Sequence, residues 1–153
     1  MKVVKFGGSS LASATQLEKV LNIVKSDSDR KFVVVSAPGK REESDTKVTD
    51  ALIKYYRAYV EEGDVTPHQE WIINRYAQMI EELELKPVVL EKITKSILNL
   101  ATLPIEDNLF LYDSFLAAGE NNNAKLVAAF FNKNGLNARY IHPRDAAVSY
   151  THL

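Results

Sequence analysis

The sequence predicts an α/β fold in which a partial parallel sheet carries a helical insert. A strand, a glycine turn and a helix start follow one another within residues 1–15. Residues 31–36 form an apolar run without alternation, which is typical of a strand covered on both faces. A weaker strand pattern at residues 137–141 comes after helical patterns over about residues 47–134. We therefore expect three parallel strands, with the helices inserted between the second and the third.

The first strand and its turn are the strongest candidate for a binding site. Residues 3–6 have the β-branched and aromatic content of a short buried strand, and Gly7 and Gly8 end it. Paired glycines allow a ligand to approach the backbone, and a following helix start presents unpaired N–H groups to an anion. Lys5 lies among apolar residues at the carboxyl end of this strand, where an ammonium needs a negative partner such as phosphate. A tight turn with Lys5 directed to solvent is an equal alternative on the glycines alone.

The common nucleotide-binding fingerprints are absent from the sequence. There is neither a GxxxxGK[ST] pattern nor a GxGxxG pattern. The lysine precedes the glycines, so a phosphate site at this turn is of another kind.

Composition narrows the range of partners. The 153 residues suffice for one domain, and 46% hydrophobic with 25% charged residues is ordinary for a globular chain. A net charge of -1 gives no basic field for nucleic acid or an anionic membrane, so small ligands are favoured. The chain has no cysteine, which excludes disulfides and thiolate chemistry. We find no signal peptide and no membrane-spanning run, and we predict a cytoplasmic location.

A helix is predicted after the glycine turn. Ser13 and Gln16 have the spacing of a capping box. Apolar residues then recur at helical spacing, at Leu17, Val20, Leu21 and Val24. A strand, a helix and a strand in this order indicate a right-handed βαβ unit.

The region between the second and third strands is predicted to be a mobile charged loop, residues 40–46, followed by helices. The first predicted helix begins at Lys47 and is ended by Gly63, the second is capped by Thr66, and the third begins at Pro87. The fourth covers about residues 107–118 and is ended by Gly119, and the fifth covers residues 120–134 and is ended by Gly135.

Three polar residues are further site candidates. Ser36 ends the second strand, at the sheet edge where ligands bind in open α/β folds, and Thr49 lies in the first turn of the next helix. Glu120 is predicted at a helix amino end, where a carboxylate is favourable and could accept a ligand ammonium. Taken singly, each is more simply explained as a local cap. The three histidines show no metal-ligand spacing, and no metal site is predicted.

Four motifs in order resemble the amino-terminal part of the aspartate kinases, a group in the amino acid kinase family. They are KFGGSSLA at residues 5–12, VVVSAPGK at 33–40, TKVTDALI at 46–53 and AAGE at 117–120. The resemblance covers nearly the whole chain, and the ordered set is more specific than any one motif.

The resemblance implies a three-layer αβα fold and ATP-dependent phosphorylation of the side-chain carboxylate of L-aspartate. The product is 4-phospho-L-aspartate, at the first step towards lysine, threonine, methionine and diaminopimelate. ATP with Mg²⁺ and L-aspartate are then the small-molecule partners, and the parent enzyme is expected to be a homo-oligomer. Carried over by motif, the ATP phosphates are held by Lys5, Gly7, Gly8 and Ser9, with Lys5 also catalytic. Aspartate is held by Ser36, Thr49 and Glu120.

The chain also departs from this family. Residues 1–153 match only the amino-terminal part of the kinase domain, without the later ATP-binding lobe and the ACT regulatory domains. Residues 147–153 do not resemble the segment that family members have after the third strand. We therefore expect a truncated chain that is inactive alone. Two alternatives stay open: a related kinase for glutamate, acetylglutamate, carbamate or UMP, and a nucleotide-binding domain without catalysis.

Overall fold

The computed structural model describes residues 1–106 and 108–146, and it begins with the predicted parallel strand pair. Strands β1 (Lys2–Phe6) and β2 (Arg30–Val35) run parallel, with Lys5 beside Val34. A short 3-10 helix (Gly8–Leu11) and helix α1 (Ala14–Lys25) connect them.

The start of α1 confirms the predicted capping residue. The Ser13 hydroxyl oxygen accepts a hydrogen bond from the backbone N–H of Gln16 at 3.3 Å. This bond satisfies one of the free N–H groups at the start of the helix.

Five further helices are present in the described residues. They are α2 (Val48–Val60), α3 (Thr66–Glu82), α4 (Pro87–Asn99), α5 (Asn108–Lys133) and α6 (Pro143–Ala146), with a 3-10 turn at Leu100–Thr102. Helix α2 packs on α3 and α5, and α4 packs on α3 and α5. Thr66 is the first residue of α3 rather than its cap, and its backbone N–H donates to the Asp64 side chain at 3.1 Å. The helices enclose a core whose largest fully buried side chains include Tyr55, Tyr76 and Phe115.

Helix α5 corrects the prediction of two helices separated at Gly119. It runs unbroken from Asn108 to Lys133, and it ends before Gly135, whose φ is +87°. A glycine inside a helix costs only about 1 kcal/mol relative to alanine, which close packing can offset. A Cβ on Gly119 would lie 2.8 Å from the Cβ of Ala37, so the glycine permits close packing and does not end the helix. Residue 107, the predicted first residue, lies outside the described residues.

The predicted third strand is not formed in the described part of the chain. Residues 137–142 have no regular secondary structure, and the sheet among the described residues has two strands. The Asn132 side chain bonds both backbone groups of Ala138, accepting from its N–H at 2.8 Å and donating to its carbonyl at 2.9 Å. The backbone groups of Ala138 are therefore bonded by a side chain of α5 and not by a neighbouring strand.

The sheet is also more exposed than predicted. Val3, Phe32 and Val34 are 66%, 47% and 46% exposed, whereas Val33 and Val35 pack against the core. The expectation that both faces are covered is therefore wrong for the described residues. An apolar strand without alternation is typical of a sheet with both faces covered, but the residues that cover the second face must come from other parts of the structure.

The charged segment after β2 lies at the surface and is held by one ion pair. The Arg41 guanidinium lies 2.7 Å and 2.9 Å from the two carboxylate oxygens of Asp45, and it donates to the Gln78 side chain of α3 at 2.7 Å. The backbone N–H of Thr46 also donates to Asp45, at 2.9 Å. The Arg41 guanidinium, more than any other group, holds the pKa of the Asp45 carboxyl well below its usual range.

Replacing Asp45 with asparagine is expected to lower the free energy of unfolding at pH 7 by about 1 kcal/mol, because a two-pronged pair with a half-exposed arginine is lost. Because the pKa is depressed in the folded state, this contribution is complete above the ordinary value of 3.8 and is lost progressively as the pH falls from that value through the lower folded-state pKa. Urea unfolding at pH 7 and pH 3 measures it, with Glu43→Gln as an exposed control. An equal difference between wild type and Asp45→Asn at both pH values would contradict the assignment.

Candidate active site

The glycine turn and the loop after β2 meet at one edge of the sheet. The backbone N–H of Gly39 donates to the carbonyl of Gly8 at 2.9 Å. The first N–H of α2, that of Val48, donates to the carbonyl of Pro38 at 3.2 Å. We call residues 36–39 the second loop. Through these backbone hydrogen bonds it joins the glycine turn to the start of α2.

The glycines in this region serve two different purposes. A Cβ on Gly39 would lie 2.6 Å from the carbonyl carbon of Gly8, and a Cβ on Gly8 would lie 3.0 Å from the carbonyl oxygen of Ala37. Both glycines therefore permit the close approach of the two loops. A Cβ on Gly7 would meet no atom within 4 Å, so this residue faces open space. Gly7 is the position at which a ligand can approach the backbone.

The residues predicted to hold phosphate lie at this turn. Lys5 and Ser9 are exposed, and the Lys5 ammonium has no hydrogen bond or ion pair with a described residue. The segment after the glycines is a 3-10 helix, and the longer helix α1 begins only at Ala14. The helix start predicted at the Ser13 cap is therefore confirmed, and the 3-10 helix separates it from the glycines. The turn keeps an available cation and open backbone, without the dipole of a long helix.

Ser36 and Thr49 border the second loop. Ser36 is half-buried directly after β2, and its carbonyl accepts a hydrogen bond from the Asn123 side chain of α5 at 2.7 Å. Thr49 is half-buried at the second position of α2, the helix whose first N–H bonds the second loop. The two residues are therefore brought to the same loop from β2 and α2.

Glu120 reaches this region by a different route from the one predicted. It lies in the middle of α5 and not at a helix amino end, so neither the favourable dipole nor the local capping role applies. A Cβ on its neighbour Gly119 would lie 2.8 Å from the Cβ of Ala37 in the second loop and 3.0 Å from Cδ1 of Leu52 in α2. The Glu120 carboxylate is exposed and has no partner among the described residues. It is therefore available for a ligand cation.

Helix α3 contributes two buried polar residues, Arg75 and Tyr76, of which the sequence interpretation missed Arg75. Arg75, 3% exposed, donates through Nη2 to the carbonyl of Ala12 and, at 3.3 Å, to that of Gly39. The Tyr76 hydroxyl donates to the carbonyl of Gly119 at 2.9 Å. Burial lowers the pKa of Arg75 and raises that of Tyr76. Arg75 lies three residues after Ile72 on the inward stripe of α3, and a cation at such a position was the available signal.

The chain is similar in sequence to known proteins of one family. The model of the amino acid kinase family matches residues 1–152. This chain belongs to the amino acid kinase family. Aspartokinase 3 of Bacillus subtilis is 47% identical over 151 residues, which are 99% of this chain and 33% of that protein. The chain thus spans about a third of the length of this relative.

Solved structures of aspartate kinases are also similar to this member of the amino acid kinase family. The Clostridium acetobutylicum aspartate kinase superposes with a TM-score of 0.71 at 34% identity, over 85% of this chain and 29% of that one. Escherichia coli aspartokinase III in complex with lysine and aspartate gives a TM-score of 0.70 at 23% identity, over 88% of this chain and 29% of that one. The second likeness shows the fold alone. The α/β fold class predicted from the sequence is confirmed.

The described residues contain neither a metal-binding cluster nor a membrane-spanning helix. No group of three or more histidine, cysteine or acidic side chains is placed to hold a metal ion. None of the helices in the described part of the chain is long and apolar enough to cross a membrane.

Proposed function

We propose that this chain forms the amino-terminal part of an aspartate kinase domain and supplies one half of its active site. The observation that carries the proposal is the meeting of the Lys5–Gly8 turn, the second loop and the middle of α5 at one sheet edge. The identity to Aspartokinase 3 over 99% of the chain supports aspartate as the acceptor. Since the chain spans a third of that relative, we expect turnover only together with the remaining part of such an enzyme.

The phosphate donor is assigned to the glycine turn. ATP phosphates would lie against Gly7 and Gly8, with Ser9 as a hydrogen-bond donor and Lys5 as the counter-charge. This assignment is supported by the unpaired Lys5 ammonium and by the open space at Gly7. Mg²⁺ would be bound through the ATP phosphates, as is usual for this ion. When bound, Mg²⁺ supplies neutralisation of phosphate charge.

The acceptor is assigned to the second loop and α5. Glu120 would bind the ammonium of L-aspartate, and the hydroxyls of Ser36 and Thr49 would donate to its carboxylates. These three groups have complementary chemistry to an amino acid with two carboxylates. The Asn123 bond to the Ser36 carbonyl fixes the second loop against α5, which supports a defined distance between Ser36 and Glu120.

The reaction needs little proton transfer from the protein. The side-chain carboxylate of aspartate has an ordinary pKa of about 4 and is ionised at neutral pH, so no general base is required. A carboxylate oxygen attacks the γ-phosphorus, the bond from that phosphorus to the β,γ-bridging oxygen breaks, and ADP leaves with the electron pair. Catalysis then consists of alignment and charge neutralisation. Lys5 performs the neutralisation in this half of the site.

A chimeric enzyme tests the proposal. This chain replaces the matched third of Bacillus subtilis Aspartokinase 3, ADP release from ATP is measured with each acceptor, and aspartyl phosphate formed from L-aspartate is trapped with hydroxylamine. We expect turnover with aspartate and not with glutamate, acetylglutamate, carbamate or UMP. Preference for one of those acceptors would overturn the substrate assignment. ATP binding by titration calorimetry without turnover on any acceptor would indicate a nucleotide-binding domain without catalysis.

A further inference from the structure

We propose that Arg75 is a positioning residue that sets the distance between the glycine turn and the second loop, and so between phosphate donor and acceptor. The inference rests on the proposed function for its kinetic consequence. Its structural basis is independent of that function, because it lies in contacts between the described residues themselves.

The Arg75 side chain joins two loops that are distant in sequence. One nitrogen, Nη2, donates to the carbonyl of Ala12, at the end of the 3-10 helix that follows the glycine turn, and to the carbonyl of Gly39 in the second loop. Among the described residues, two backbone hydrogen bonds also connect these segments. The N–H of Gly39 donates to the carbonyl of Gly8, and the N–H of Ser36 donates to the carbonyl of Phe6 at the end of the β1–β2 pair. The guanidinium therefore adds a side-chain connection and places it on the rigid helix α3.

The free-energy cost of burying the Arg75 guanidinium indicates that its hydrogen bonds have a structural role. Arg75 is 3% exposed, its Nε has no partner, and no carboxylate hydrogen-bonds to it among the described residues. A buried cation without a paired anion is expensive, and an apolar side chain of similar length would fill the same space without that penalty. The two carbonyl groups are what the guanidinium gains in return. Its function is then to hold those two carbonyls at one point.

The kinetic consequence concerns the rate more than binding. In the proposed site, ATP contacts the glycine turn, and aspartate contacts the second loop and α5. If the two loops shift relative to each other, each ligand can still bind its own loop, but the reacting atoms lose alignment. A displacement of about 1 Å between reacting groups can cost about 100-fold in rate.

Steady-state kinetics of the chimeric enzyme test whether Arg75 affects the rate of the reaction and not ligand binding. Arg75→Met is expected to lower kcat by about 10- to 100-fold with KM for ATP and aspartate changed by less than about 3-fold. Arg75→Lys is expected to recover most of kcat, because one ammonium can donate to two carbonyls. Arg57→Met, on the exposed face of α2, is the matched control and should equal wild type. An Arg75→Met enzyme with wild-type kcat, or a loss seen only as a raised KM, would overturn the proposal.

Hydrogen exchange on the chain itself gives a readout that needs no catalysis. Arg75→Met is expected to speed exchange of the Gly39 N–H, which bonds Gly8, by about 10-fold or more, with the amides in the middle of α1 unchanged. Arg75→Lys should restore slow exchange. Uniformly faster exchange throughout the chain, or an unchanged Gly39 amide, would contradict a local positioning role. If the wild-type chimera lacks aspartate kinase activity, the proposed function fails, whereas this measurement still decides the linkage of the loops.

Discussion

Replacing Lys5 with methionine is expected to lower aspartate phosphorylation by the chimeric enzyme by about 100- to 1000-fold, the range found when one charge-stabilising donor is removed. The proposed role of the Lys5 ammonium is to neutralise charge on the transferring phosphoryl group. Methionine has similar length without the charge. Lys5 is exposed and has no partner among the described residues, so the free energy of unfolding should change by less than about 0.5 kcal/mol.

Lys31→Met is the matched control for Lys5→Met. Lys31 is also an exposed lysine, in the neighbouring strand β2, and its side chain forms no hydrogen bond or ion pair with the described residues. Its loss should leave turnover unchanged. Trapped aspartyl phosphate measures activity, and thermal unfolding checks that both variants fold. A Lys5→Met enzyme with more than about a third of wild-type turnover would show that the glycine turn does not hold the reacting phosphates.

Replacing Gly39 with alanine is expected to separate the glycine turn from the second loop. The new Cβ would lie 2.6 Å from the carbonyl carbon of Gly8 and 2.8 Å from the backbone nitrogen of Ser9, so one backbone segment must move. Overpacking of this kind costs about 1–3 kcal/mol of the free energy of unfolding. Because the moving segments carry the proposed donor and acceptor sites, we also expect turnover to fall by at least about 100-fold.

Two other glycines provide the controls for Gly39→Ala. A Cβ on Gly63 would lie no closer than 3.5 Å to its neighbours, so Gly63→Ala should change neither stability by more than about 1 kcal/mol nor turnover. Gly7→Ala should fold normally because its Cβ meets no atom within 4 Å, yet it should weaken ATP binding if the nucleotide lies there. Urea unfolding and calorimetric titration with ATP measure the two effects. A Gly39→Ala chain as stable as wild type would be incompatible with the observed approach of the loops.

Local patterns in the sequence predicted several elements correctly. The cap at Ser13, the parallel pairing of the first two strands and the helix opened by Pro87 are all present. Each depends on neighbouring residues or on a short βαβ unit, so the required information lies within a few tens of residues. The glycine turn could be recognised for the same reason. The roles assigned there to Lys5 and Gly7 stay predictions that the substitutions at these two positions address.

The errors occur where a residue's environment is supplied by distant parts of the chain. Gly119 was interpreted as a helix end, but its small size is needed for contact with Ala37 and Leu52. Ala138 was assigned to a strand, but its backbone bonds Asn132 instead. The contacts of Arg75 have no local signature in the sequence, because its carbonyl partners lie on other elements.

The ordered motifs of the chain were enough to identify its family, and the glycine pair and the Ser13 cap were enough to predict the local backbone there, because glycine pairs and caps act over a few residues. Long-range packing was needed to show that α5 is continuous, that Gly119 contacts the second loop, and that Arg75 ties the two loops together. These features depend on close packing and on buried hydrogen bonds between elements far apart in sequence. Such contacts leave no periodic pattern in the chain, since their energy depends on which distant atoms the fold brings together.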